Sequence, residues 1–206
     1  MLAWTIAIAL SAASVALTLY VFGQEAGDPA ATIAAQLAAT GQESPMSPEE
    51  LARLQIMIGV PVGIAFNTVF LLLSEELGWR GWLQPRLAGL GFWPMSILIG
   101  LIWGAWHGPI ILMGHNYGDM GWTGVGLMLS FTVLLTPFHS LVRERGGVIP
   151  AAALHGAVNA VAGVGLLFIA NPVWPWNGLL GYGGVAVMLA GWVLIALVRR
   201  KPSAAS

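Results

Sequence analysis

Six long apolar runs dominate this sequence, and each approaches the roughly 20 residues that a helix needs to cross a bilayer. The runs cover Leu2 to Phe22, Leu54 or Pro61 to about Gln84, Phe92 to Met113, Gly121 to Val142, Val148 to Ile169 and Gly178 to Val198. Only 8% of the 206 residues are charged, against roughly 25% in soluble domains, which excludes a water-soluble globule. The sequence predicts an all-α transmembrane helical bundle of about six spans, forming a single membrane domain over residues 1–206.

The polar segment 23–53 separates the first two apolar runs. It carries three prolines and five acidic residues against one arginine, and we interpret it as a polar outer loop. The first run lacks a basic N-terminal region and a small-residue cleavage site before Gln24. It is therefore predicted to be an uncleaved helix rather than a signal peptide.

The positions of the basic residues predict the orientation of the bundle, because lysine and arginine in short loops are retained in the cytoplasm. Seven of the eight basic residues follow the second, fourth and sixth runs: Arg80, Arg86, Arg143, Arg145, Arg199, Arg200 and Lys201. We therefore expect both termini to be cytoplasmic and segment 23–53 to lie outside.

Charge and cysteine content exclude several classes of function. The formal net charge is -1, so the chain has no basic surface for nucleic acid. Cysteine is absent, which excludes disulfides, thiolate zinc sites and cysteine nucleophiles. Any chemistry must use oxygen and imidazole groups, and the expected partners are the lipid bilayer and a peptide or protein substrate within it.

Ionisable side chains inside spans are costly, so each is a candidate for function. The second run carries Glu75, Glu76 and Arg80. Glu76 and Arg80 are four residues apart and can form an ion pair on one helix face, whereas Glu75 is turned away by about 100°. The third run carries His107, and the fifth carries His155 and Asn159 on one helical face.

Helix lengths decide whether these groups can meet. If the second helix runs from Pro61 to Gln84 and the third begins after Pro94, a rise of 1.5 Å per residue puts Glu75, His107 and His155 roughly 10–18 Å deep. A shared site in the cytoplasmic half of the membrane is then expected. One carboxylate and two imidazoles can bind a divalent metal or deprotonate a water molecule for attack on an amide. Asn159 can donate to the developing oxyanion.

Simpler interpretations exist for each polar group. The glutamates can cap a helix end against Arg80, and each histidine can be a hydrogen-bonded contact between helices. His139 is interpreted as interfacial, and His115 with Asn116 as an ordinary polar turn.

Three ordered motifs carry a resemblance to a known family. Glu75-Glu76-x-x-x-Arg80, Trp103-x-x-x-His107 and His155-x-x-x-Asn159 resemble those of the CAAX protease and bacteriocin-processing (CPBP) family of intramembrane endopeptidases. The motif-bearing core is assigned to residues 61–169. The resemblance implies an integral protein of a prokaryotic plasma membrane that cleaves a membrane-associated or C-terminally modified peptide.

The resemblance also implies roles for the motif residues. Glu75 and His107 would activate water, while His155 and Asn159 would stabilise the oxyanion or complete the site. Glu76, Arg80 and Trp103 would support them. Both a metalloprotease, with Glu75, His107 and His155 binding a metal such as zinc, and metal-free water activation agree with the family. Trp103 stands where phenylalanine is common in the eukaryotic prenyl-protein enzymes, which are also longer, and these departures argue against a prenylated substrate.

Two other functions compete with peptide hydrolysis. A non-catalytic scaffold or bacteriocin-immunity protein would keep the fold to bind a peptide or partner protein. Proton or ion translocation would use the same cluster, but the third and fifth runs show no polar path toward the outer side.

Overall fold

A bundle of long helices makes up the computed structural model, which describes residues 2–200. The helices are α1 (Leu2–Tyr20), α2 (Pro29–Thr40), α3 (Pro48–Leu90), α4 (Phe92–Leu112), α5 (Gly121–Gly146), α6 (Val148–Leu166) and α7 (Tyr182–Arg200). Within the described range, six helices, all except α2, are long and apolar enough to cross a membrane. The predicted all-α polytopic bundle is confirmed. Lys201, one of the basic residues used for orientation, lies outside the described residues.

Helix α3 is 43 residues long and exceeds the predicted second span at both ends. It is wound as π-helix over Gln55–Gly59 and again over Leu72–Leu83. The second π-helical stretch contains the whole first motif. Such wider turns are rare and occur frequently at functional sites.

The polar segment 23–53 differs from the predicted loop because it contains α2 and the first turn of α3. The Asp28 side chain accepts a hydrogen bond from the Ala30 amide at the start of α2. Ser47 and Glu50 form a reciprocal capping box at the start of α3. These caps satisfy amide groups that helix starts leave free, and a proline follows each cap. Capping signals were therefore present in the sequence, although the polar composition favoured a loop.

Glycines allow the site-bearing helices to approach closely. A Cβ atom at Gly156 of α6 would lie 2.6 Å from the Thr68 amide nitrogen of α3. A Cβ atom at Gly100 of α4 would lie 2.5 Å from the Val133 Cα atom of α5. Within lipid the hydrophobic effect does not drive helices together, and small residues let the backbones approach closely enough for van der Waals packing to do so. The contacts fix α6 against α3 and α5 against α4, which positions the three motifs.

Candidate active site

The Glu75 carboxylate is held by two indole groups. Its Oε2 atom accepts hydrogen bonds from Trp103 Nε1 at 2.9 Å and Trp79 Nε1 at 3.3 Å. Trp103 is 1% exposed and belongs to the second motif. The first two motifs are therefore joined directly, across the α3–α4 boundary.

The His107 ring is oriented by its own helix. His107 Nδ1 lies 2.9 Å from the Trp103 carbonyl oxygen. Because a carbonyl oxygen only accepts, Nδ1 carries the proton. In the neutral ring Nε2 then keeps its lone pair, which suits a base or a ligand.

A buried network lies on the other face of the first motif. Glu76 Oε1 accepts hydrogen bonds from Arg80 Nη1 at 2.8 Å and from His155 Nδ1 at 2.9 Å. Glu76 and Arg80 are fully buried, and His155 is 4% exposed. The predicted Glu76–Arg80 pair is present, and it orients His155 on a different helix. The Trp103 ring covers the network, with its centroid 4.7 Å from Arg80 Cζ and 4.9 Å from the His155 ring.

His139, which was interpreted as interfacial, packs against this network inside the bundle. It is fully buried on α5, with its ring centroid 5.6 Å from that of His155 and 5.7 Å from that of Trp103. Its Nε2 atom and Glu76 Oε2 are both buried without a hydrogen-bond partner. Sequence reasoning missed this role of His139, because α5 is largely apolar and no spacing shows which of its faces points inward.

The structure assembles one group of acid and imidazole side chains with metal-ligand spacing. Among residues 2–200, donor atoms of Glu76, His139 and His155 lie within 4.8 Å of one another, so by proximity they can hold a metal ion. The predicted set of Glu75, His107 and His155 does not form such a group in that part of the chain. Glu76 Oε1 is already paired with the Arg80 guanidinium. A dication there would lie beside a fixed positive charge, which does not fit a catalytic metal centre.

A cavity of about 610 Å³ runs along the other face of the motifs. Its walls include five residues of the motifs: Glu75, Trp103, His107, His155 and Asn159. Among the described residues, the lining does not include Glu76, Arg80 or His139. These three buried residues form a layer behind the cavity wall. The cavity thus brings one carboxylate, two imidazoles and one carboxamide to a common space in the bundle.

Comparison with known proteins assigns the chain to a family. The sequence profile of the type II CAAX prenyl endopeptidase Rce1-like family matches residues 57–161, which hold all three motifs. This chain belongs to that family. The resemblance inferred from the motifs is confirmed, and the apolar helices of this Rce1-like chain make it an integral membrane protein.

A curated relative agrees with the assignment. The Rce1-like chain is 31% identical over 118 residues to CAAX prenyl protease 2 of Methanococcus maripaludis. The alignment covers 47% of this chain and 42% of the relative, so the shared part is less than half of either protein. No solved structure shows a significant match.

The bond between Trp103 and Glu75 gives a first prediction. Trp103→Phe keeps a ring against Arg80 and His155 but removes the indole donor, and a hydrogen bond to a charged group contributes about 1.5–3 kcal/mol. We expect peptide cleavage by the purified variant to fall by about 10-fold to 100-fold. Trp122→Phe is the control, since Trp122 is 76% exposed and lies outside the cavity lining. Equal activities for the two variants would contradict a role for the indole.

Proposed function

We propose that this Rce1-like chain is an intramembrane endopeptidase that hydrolyses peptide bonds with a water molecule activated by Glu75 and His107. The observation that carries the proposal is the common cavity of Glu75, His107, His155 and Asn159. Each of these side chains comes from one of the three motifs. The family is named for an endopeptidase, and the Methanococcus maripaludis relative is named a protease.

Glu75 is assigned as the general base. Its Oε2 atom is occupied by two indole donors, which leaves Oε1 to take a proton from water. His107 Nε2 can accept the second hydrogen bond of that water, because Nδ1 holds the ring proton. The hydroxide then attacks the peptide carbonyl carbon, and the protonated Glu75 returns its proton to the leaving amine.

His155 and Asn159 are assigned to the oxyanion. Both lie on α6 one turn apart, and both line the cavity. The Asn159 amide donates from Nδ2. The Nδ1–H bond to Glu76 fixes the His155 ring, which donates from Nε2 when both ring nitrogens carry protons. Two donors fixed before the reaction are worth more than donors that must reorient during it.

Water activation without a metal is the mechanism favoured by the donor geometry. The group with metal-ligand spacing contains Glu76, which is bound to Arg80, and it lies behind the cavity wall. Glu75 and His107 therefore act on the water molecule directly in the proposed mechanism. Glu76 and Arg80 are assigned as positioning residues that act through His155.

The proposal is tested by reconstituting the purified chain in liposomes with a mixture of membrane peptides and reading the products by mass spectrometry. We expect wild-type protein to release defined fragments, and Glu75→Ala, His107→Ala and His155→Ala each to lose most of that activity while keeping helical content. Cleavage that persists unchanged in all three variants would overturn the assignment. It would favour the alternative of a non-catalytic scaffold or immunity protein.

A further inference from the structure

The cavity is asymmetric along the bundle axis. Glu75 and His155 line its deepest end, and Trp103 lies beside them. From there the lining follows α4 toward its C-terminal end and reaches the exposed turn residues His115 and Asn116. The cavity therefore opens at the end of the bundle where α4 ends and α5 begins.

Helix lengths agree with this direction. At 1.5 Å per residue, His107 lies about 8 Å from the end of α4 at Leu112 but about 22 Å from its start at Phe92. On α6, the lining residues extend from His155 to Leu166, the last residue of the helix. No lining residue, all of which lie within residues 2–200, precedes His155 on α6 or Trp103 on α4.

The opposite end of the bundle is closed by hydrogen bonds between α3, α4 and α5. Arg143 Nε donates to the Arg80 carbonyl oxygen at 3.2 Å, and Gln84 Nε2 donates to the Ser140 carbonyl oxygen at 3.3 Å. Ser96 Oγ donates to Ser140 Oγ at 2.9 Å. Ser96, Ser140, Gln84 and Arg80 are all buried. Together with the buried Glu76 network, they separate the cavity from this end.

The two ends of the bundle differ in charge. The closed end, which we name the arginine-rich face, carries the basic residues of three helix ends: Arg86, Arg143, Arg145, Arg199 and Arg200. The open end, which we name the acidic face, carries most of the acidic residues: Glu25, Asp28, Glu43, Glu49, Glu50 and Asp119. Short basic segments are retained in the cytoplasm, so the arginine-rich face is assigned to the cytoplasmic side.

We propose that the active-site cavity of this chain opens to the extracytoplasmic side, and that its substrates are peptides presented from that side of the membrane. This inference rests on the proposed endopeptidase function and concerns the side of the membrane from which the site is reached. Within residues 2–200, Glu75 is the only Asp, Glu, Lys or Arg side chain in the lining, which also has five aromatic side chains: Phe70, Trp103, Trp106, Phe131 and Trp174. The substrate class is thus an uncharged, apolar peptide segment that enters the cavity from the outer side.

Because the sequence has no cysteine, single cysteines can report the accessible side of each position. Gly163 lines the cavity, and a Cβ atom there would meet no atom within 4 Å. Gly126 is an equally open position on the exposed side of α5, outside the cavity lining, and serves as the matched control. Asp119→Cys and Arg86→Cys mark the acidic and arginine-rich faces.

The experiment treats right-side-out and inverted membrane vesicles with a charged, membrane-impermeant maleimide, which reacts only with hydrated thiolates. We expect Gly163→Cys and Asp119→Cys to react in right-side-out vesicles and Arg86→Cys to react only in inverted vesicles. Gly126→Cys, on the outer surface of the bundle, should react in neither. The proposal would be overturned if Gly163→Cys reacted only in inverted vesicles. It would also be overturned if Gly163→Cys reacted no more than Gly126→Cys in both vesicle types. The readout needs no catalysis, so its failure leaves the peptidase assay to be judged separately.

Discussion

Replacing Glu75 by glutamine is expected to lower kcat for peptide cleavage by about 10²-fold to 10⁴-fold, the range that general-base catalysis contributes. The amide has nearly the shape of the carboxylate, and its oxygen can still accept from Trp103 Nε1. It cannot take a proton from water at neutral pH. The loss should therefore appear in kcat, while substrate binding in the aromatic cavity is retained.

Ser74→Ala is the matched control for this variant. Ser74 is the neighbouring residue on α3, is exposed, and donates only to the Phe70 carbonyl of its own helix. Its removal should leave kcat near the wild-type value. Steady-state kinetics with a quenched fluorescent peptide in liposomes gives both numbers. Activity of Glu75→Gln equal to that of Ser74→Ala would show that Glu75 is not the base.

Much of the site could be predicted because its spacing is helical and local. Glu76 and Arg80 are four residues apart on one helix, so their ion pair follows from the sequence alone. The cost of burying charge marks Glu75, His107 and His155 as functional candidates without any knowledge of the fold. The order of the three motifs along the chain identifies the family, which the spacing within a single helix does not.

Contacts between helices could not be predicted in the same way. His139 faces the network from α5, which packs closely against α4 at Gly100, and the apolar surface of α5 is too uniform to show that face in the sequence. The bond from His155 to Glu76 rather than Glu75 forms within a π-helical stretch of α3, and spacing in the sequence does not show that winding. The side on which the cavity opens depends on which helix ends are tied together, and this is a property of the whole bundle.

The buried ion pair leads to the second large effect. Arg80→Met is expected to destabilise the protein by about 3–5 kcal/mol, because it leaves the buried Glu76 carboxylate without its cation. Glu76 has an unpartnered Oε2 atom already and would keep only the hydrogen bond from His155. The stability is measured by unfolding purified protein in mixed micelles, with helical circular dichroism as the signal. Arg145→Met is the control, since Arg145 is exposed and its loss should change stability by less than about 0.5 kcal/mol.

A double-variant cycle separates lost charge pairing from lost packing. Glu76→Gln removes the charge but keeps an oxygen that can accept from His155. If the Arg80→Met defect arises from an unpaired carboxylate, adding Glu76→Gln should recover part of the stability, giving a coupling energy within the usual 0.5–3 kcal/mol for residues in contact. A double variant destabilised by the sum of its single variants would instead mean that Arg80 acts through its contact with the Trp103 ring. The charge pair would then contribute no coupling energy to the stability of the fold.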